Sequence, residues 1–132
     1  MERKKILIVD DDSDMRIFLC NLLSNCGYAT IYAGDKTEGI RKIKREMPVL
    51  VIIAVTIPKE GGIQMYRELK EDEILKNIPV IMVSTIEKKT FCFYHKFQDA
   101  FQDKGFPEPD GYLEKPLETT EVIRLVRALT AG

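Results

Sequence analysis

The stretch ILIVDDDSDMRIFLCNLLSNCGYATIYA, residues 6–33, changes its hydrophobic period twice. Ile6–Val9 is an unbroken run of apolar residues, as expected of a strand buried on both faces. Beyond the aspartates, Met15, Phe18, Leu19, Leu22, Leu23 and Cys26 recur at i, i+3, i+4, i+7, i+8 and i+11, which is one apolar stripe on a helix. Ser13 is the expected N-cap, and Gly27 the residue that stops the helix. Ala29–Ala33 then returns to a short strand-like run. The stretch therefore reads strand, crossover helix, strand.

Outward from it the same rhythm continues, with further strand runs at Leu50–Ala54, Val80–Val83 and Tyr112–Leu113. Asp35 and Glu38 have capping-box spacing ahead of Ile40, Ile43 and Met47, and Pro48 ends that pattern. Ile63, Tyr66 and Leu69 mark a third helix, Phe93, Phe97, Ala100 and Phe101 a fourth, and Val122, Leu125, Val126 and Leu129 a fifth. Alternation of this kind predicts an α/β fold: a (βα)5 doubly wound, parallel, five-stranded sheet with right-handed crossovers and helices on both faces. In the flavodoxin-like strand order 2-1-3-4-5, ligands sit beyond the carboxyl ends of strands one and three. That edge is Asp10–Asp12 and Ala54–Pro58, with a turn expected at Pro58 to Gly62.

The chain's 132 residues suit one domain, 1–132, with no output domain expected. Twenty basic against twenty-one acidic residues leave no global field to attract nucleic acid or an anionic membrane, so neither is an expected partner. The apolar run after MERKK is too short for a signal peptide or a membrane span, and a cytoplasmic location is expected. Cys20, Cys26 and Cys92 lack metal-ligand spacing and read as buried free thiols. His95, among aromatics and without a second ligand nearby, reads as an ordinary helix residue.

Chemistry concentrates at the strand ends. Asp10, Asp11 and Asp12 close strand one, Ser84 and Thr85 strand four, and Lys115–Pro116 strand five. Carboxylates, a hydroxyl and an ammonium on one edge are what Mg²⁺-assisted phosphoryl transfer needs. In the order ILIVDDDSDMR, VTIPKEGG, PVIMVST and GYLEKP, the chain resembles the receiver domain of bacterial response regulators over essentially its whole length. The resemblance implies Asp10 and Asp11 as the Mg²⁺-binding acidic pair and a Thr56 backbone carbonyl as a further metal ligand. It implies Ser84 as the switch hydroxyl, Tyr112 as the rotating aromatic, and Lys115 as the lysine that contacts the phosphoryl group. It also places the phosphoacceptor aspartate on Ala54, whose methyl group can neither attack a phosphohistidine nor ligate a metal. Gly61 stands where many members of the family carry an acidic residue.

The expectation is a two-component phosphorelay receiver module that is not an enzyme. Position 54 is vacant, whether in a pseudo-receiver or an acceptor mutant, and Mg²⁺ binding is weak or absent. Output is then by protein binding, with a sensor histidine kinase or a downstream output protein as partner. The connection from Ser84 to Lys115 is long and carries Phe91, Phe93, Tyr94, Phe97 and Phe101, an expected partner surface, before a PEPDG turn. Two other readings compete. A haloacid-dehalogenase-like phosphatase would use Asp10 as nucleophile and Asp12 as acid/base, but it needs a further acidic pair, and IEKK follows Ser84–Thr85. A flavin carrier would need a phosphate loop where three aspartates repel phosphate.

Overall fold

The computed structural model describes residues 3–57, 61–87, 90 and 108–131. Strands β1 (Lys5–Val9), β2 (Ala29–Ala33), β3 (Leu50–Ala54), β4 (Val80–Ser84) and β5 (Gly111–Glu114) all lie within one residue of their expected bounds. They pair in parallel in the order β2-β1-β3-β4-β5. The helices among the described residues are α1 (Ser13–Asn25), α2 (Lys36–Glu46), α3 (Gly61–Glu71) and α4 (Thr119–Thr130), with a short 3-10 helix at Leu75–Asn77. The fourth helical pattern of the sequence, with Phe91, Phe93, Tyr94, Phe97 and Phe101, lies outside the described residues, as do Cys92 and His95.

Every residue of β3 and β4 is buried, which is why their sequences lack polar alternation. Alternate side chains feed two cores. Leu7, Val9, Val51, Ile53 and Met82 meet Ile43 of α2 and Met65 and Leu69 of α3. Ile6, Ile8, Ile52, Ile81 and Val83 meet Leu19 and Leu23 of α1 and Val122 and Val126 of α4. Each fully buried side chain of this size contributes about 1.5–3 kcal/mol, so the sheet is a stiff base for whatever its ends carry.

The helix ends show how local chemistry sets the frame. The N-cap of α1 is Asp12, not Ser13: its carboxylate accepts from the Asp14 amide at 3.0 Å, and Ser13 is the first helical residue. A carboxylate here also meets the positive end of the helix dipole, an advantage a serine hydroxyl lacks. At the other end Gly27, at φ 95°, donates to Ser24 O while Tyr28 N donates to Leu23 O, a Schellman stop. Asp35 caps α2 as expected, accepting from Glu38 N at 2.8 Å. Of the turn expected at Pro58 to Gly62, residues 58–60 lie outside the described residues, and Gly61 and Gly62 belong to α3. Cys20 and Cys26 are free, but half-buried rather than buried. Among the described residues no helix is long and apolar enough to cross a membrane.

Candidate functional site

Asp10 follows β1 and is held by three bonds. Its amide donates to Ala33 O at 3.0 Å, its Oδ1 accepts from Asp12 N at 3.0 Å, and its carbonyl accepts from Arg16 Nη1 at 3.0 Å. Only 3% of it is exposed. Burial pushes its carboxyl pKa above the ordinary aspartate value; the Asp12 amide and the Lys115 charge pull it back, and Asp11 and Asp12 add to the rise. Asp11 and Asp12 are exposed. The Asp12 carboxylate is committed to the α1 N-terminus, which removes the acid/base partner that the phosphatase reading required.

The register that sets Val9 against Ile53 makes Asp10 and Ala54 the next positions on adjacent strands. Ala54 is 2% exposed and pairs with Val83 on its other side. Its carbonyl accepts from Ile57 N at 3.4 Å, and Thr56 lies exposed in the turn between. Helix α3 starts hard against this strand end: a Cβ on Gly62 would stand 2.4 Å from Ala54 O, so only glycine permits the approach.

Ser84 closes β4 with 1% of its surface exposed, and its Oγ accepts from Ile86 N at 3.0 Å. Buried Tyr112 donates from its hydroxyl to Ile86 O at 2.6 Å. The two residues expected to act as switches therefore converge on one peptide segment. Lys115 is tied to the same strand end by its amide, which donates to Ser84 O at 2.8 Å. The sheet thus brings Asp10, Ala54, Ser84 and Lys115 to one edge, with Tyr112 below it on β5.

Sequence reasoning missed Arg16 and Tyr32. The Arg16 guanidinium lies 5.2 Å from the Tyr32 ring centroid, and Lys42 Nζ lies 5.1 Å from the same centroid. A signal for Arg16 was present: it stands one turn into α1, and helical side chains lean toward the N-terminus, here toward the aspartates.

Asp10, Asp11 and the Thr56 carbonyl are hard oxygen donors, and they fit a hard divalent cation in kind. Position 54 adds no side-chain oxygen, so the donors are two carboxylates and a carbonyl, and a bound Mg²⁺ would keep most of its water. Among the described residues no group of three or more histidine, cysteine, aspartate or glutamate side chains could hold a metal ion.

The sequence model of the family described as Response regulator receiver domain matches residues 6–127. Protein PilH of Pseudomonas aeruginosa is 29% identical over 128 residues, which are 97% of this chain and 98% of PilH. The alkaline phosphatase synthesis transcriptional regulatory protein PhoP of Bacillus subtilis is also 29% identical, over 126 residues, but the match covers 96% of this chain and 48% of PhoP. The chain thus spans nearly all of one relative and about half of the other. In fold, a putative response regulator from Chloroflexus aurantiacus matches with a TM-score of 0.83 at 23% identity, covering 99% of this chain and all of that one. Chemotaxis protein CheY4 of Vibrio cholerae matches with a TM-score of 0.77 at 20% identity, covering 96% and 98%. The family match begins at the first buried residue of β1 and runs into the last turns of α4, and the chain belongs to the response regulator receiver domain family.

Proposed function

We propose that this receiver module of two-component signalling works by protein binding and does not take up a phosphoryl group at the family's acceptor position. The observation that carries the reading is Ala54: a methyl group, almost wholly buried, on the strand end next to Asp10. A receiver stores its signal as a phosphoryl group on a carboxylate, and that nucleophile is missing here. The kinase or output protein it meets is recognised by surface complementarity alone.

Receiver domains generally bind Mg²⁺ at the phosphorylation site. Here Asp10, Asp11 and the Thr56 carbonyl would hold it, and the ion when bound would neutralise negative charge at this edge. This chain's own residues do the rest. Lys115 offsets the charge of Asp10, and Ile86 holds both Ser84 and Tyr112 in place without any phosphoryl contact.

The test compares the chain with its Ala54→Asp variant in acetyl phosphate and Mg²⁺, with acid-labile labelling read by intact mass. The unsubstituted chain should stay unlabelled and the variant should acquire one phosphoryl group. Stoichiometric label on the unsubstituted chain, mapped to Asp10, Asp11 or Asp12, would sink the proposal.

A further inference from the structure

We infer that Arg16, held against Tyr32, is a positioning residue for the acidic pair at the end of β1; the inference rests on the reading of Asp10 and Asp11 as Mg²⁺ donors. The ladder between β1 and its neighbours ends at Val9, so the Asp10 carbonyl lies just past the last strand pair. Its donor is Arg16 Nη1, at 3.0 Å. That bond fixes the peptide joining Asp10 to Asp11, and with it the direction in which the Asp11 side chain leaves the backbone. On the other side of the same residue, Asp12 N holds Asp10 Oδ1. Arg16 therefore sets the plane of the main chain, and Asp12 sets the carboxylate.

An arginine can orient another group only if it is itself immobilised. The guanidinium packs on Tyr32, 5.2 Å from the ring centroid. Lys42 holds the Tyr32 main chain, its Nζ donating to Tyr32 O at 2.5 Å; the same Nζ lies 5.1 Å from the Tyr32 ring centroid and pairs with Glu38 Oε1 at 2.9 Å. Tyr32 sits on β2 next to Ala33, whose carbonyl takes the Asp10 amide. Strand β2, α1 and α2 thus all contribute to the frame around one peptide, as outer groups do when they orient metal ligands.

Charge gives the inference a sign. A guanidinium beside a cation site repels the cation, so on electrostatic grounds its removal tightens Mg²⁺ binding. Positioning predicts the opposite. The experiment is calorimetric Mg²⁺ titration of the Ala54→Asp chain, alone and combined with Arg16→Ala, Arg16→Lys or Tyr32→Leu, with thermal melting in parallel. Arg16→Ala and Tyr32→Leu should each weaken Mg²⁺ binding by about tenfold, the typical effect of losing an outer-shell partner, with Arg16→Lys in between. Unchanged or tighter binding in folded Arg16→Ala overturns the inference, and if that variant does not fold, Tyr32→Leu decides by the same criterion. If Ala54→Asp itself binds no Mg²⁺, the donor assignment has failed. Positioning is then read from amide exchange in the unsubstituted chain. Faster exchange at Asp12 in the two variants, relative to Leu75 on Asp72, supports it, and unchanged exchange overturns it.

Discussion

Gly62→Ala tests whether α3 is docked as closely as the structure places it. The added Cβ would lie 2.4 Å from Ala54 O, 2.8 Å from Val55 Cα and 2.9 Å from Val55 O. All three are main-chain atoms at the end of a central strand, so no rotamer change can relieve them. Comfortable carbon contacts begin near 3.5 Å, so helix or strand must withdraw by about 1 Å. Overpacking of this kind costs typically 1–3 kcal/mol, and the rigid neighbours put it at the upper end. Replacing a helical glycine by alanine returns about 1 kcal/mol. The net loss is about 2 kcal/mol, and at roughly 4 °C per kcal/mol for a chain of this size the melting midpoint falls by about 8 °C. Gly61→Ala is the control, because its Cβ would meet side-chain atoms of Ile57 at 3.3 and 3.4 Å and Lys36 Cβ at 3.6 Å. Its stability should stay within about 0.5 kcal/mol of the parent. Calorimetric melts of the three proteins decide it: Gly62→Ala melting as high as the parent would refute the close docking of α3 on the Ala54 carbonyl.

Four further outcomes are expected. With no donor at position 54, calorimetry of the unsubstituted chain should show only weak Mg²⁺ binding, and micromolar affinity would contradict the two-carboxylate description of the site. Asp10 and Asp72 should respond to acid with opposite signs. Burial raises the Asp10 pKa, so in metal-free buffer Asp10→Asn should melt higher than the parent at neutral pH, the gap closing as pH falls through that raised value toward 3.8. The Leu75 and Ile74 amides lower the Asp72 pKa, so its contribution is present above 3.8 and lost as pH falls through the lowered value; Asp72→Ala should narrow the parent's acid sensitivity there. A constant Asp10→Asn gap from neutral pH to pH 3 would refute the first sign, and an unchanged acid limb in Asp72→Ala the second. Finally, Asp110 Oδ2 accepts from Val80 N at 2.8 Å and lies 3.6 Å from Lys70 Nζ, so Asp110→Ala should cost about 1–3 kcal/mol in urea denaturation, whereas a loss near zero would mean the amide at the start of β4 finds another acceptor.

Strands β1, β3 and β4 were legible because burial on both faces leaves an unbroken apolar run, which needs no partner to be recognised. Strand β2, at the sheet edge, is only half-buried with Tyr32 exposed, and its run ATIYA was legible from its β-branched and aromatic residues. The cap of α1 was not. Asp12 and Ser13 are both good capping residues, and only the backbone geometry shows which one precedes the first helical turn. Gly61 and Gly62 were read only as the end of a turn running from Pro58. Their use here is steric, set by a strand carbonyl that the helix meets only after folding. The acidic pair, the hydroxyl and the lysine were found because they close strands, and strand ends converge in any parallel sheet of this order. Arg16 and Tyr32 close nothing. They meet because α1 packs across β2, a contact between elements that no local pattern encodes.

The strand order also dictates a sequence of events in time. Strand β1 pairs on one side with β2, across α1, and on the other with β3, across α1, β2 and α2. During synthesis, at roughly 5–20 residues per second, β3 emerges several seconds after β1. Through that interval β1 can hold β2, but its second edge has no partner, and an open edge is a template for any other extended chain. Until Leu50 has emerged, β1 therefore has a partner available for one edge only. Once Ala54 has emerged, both neighbours of β1 are available, and β4 and β5 then add to an edge that already exists.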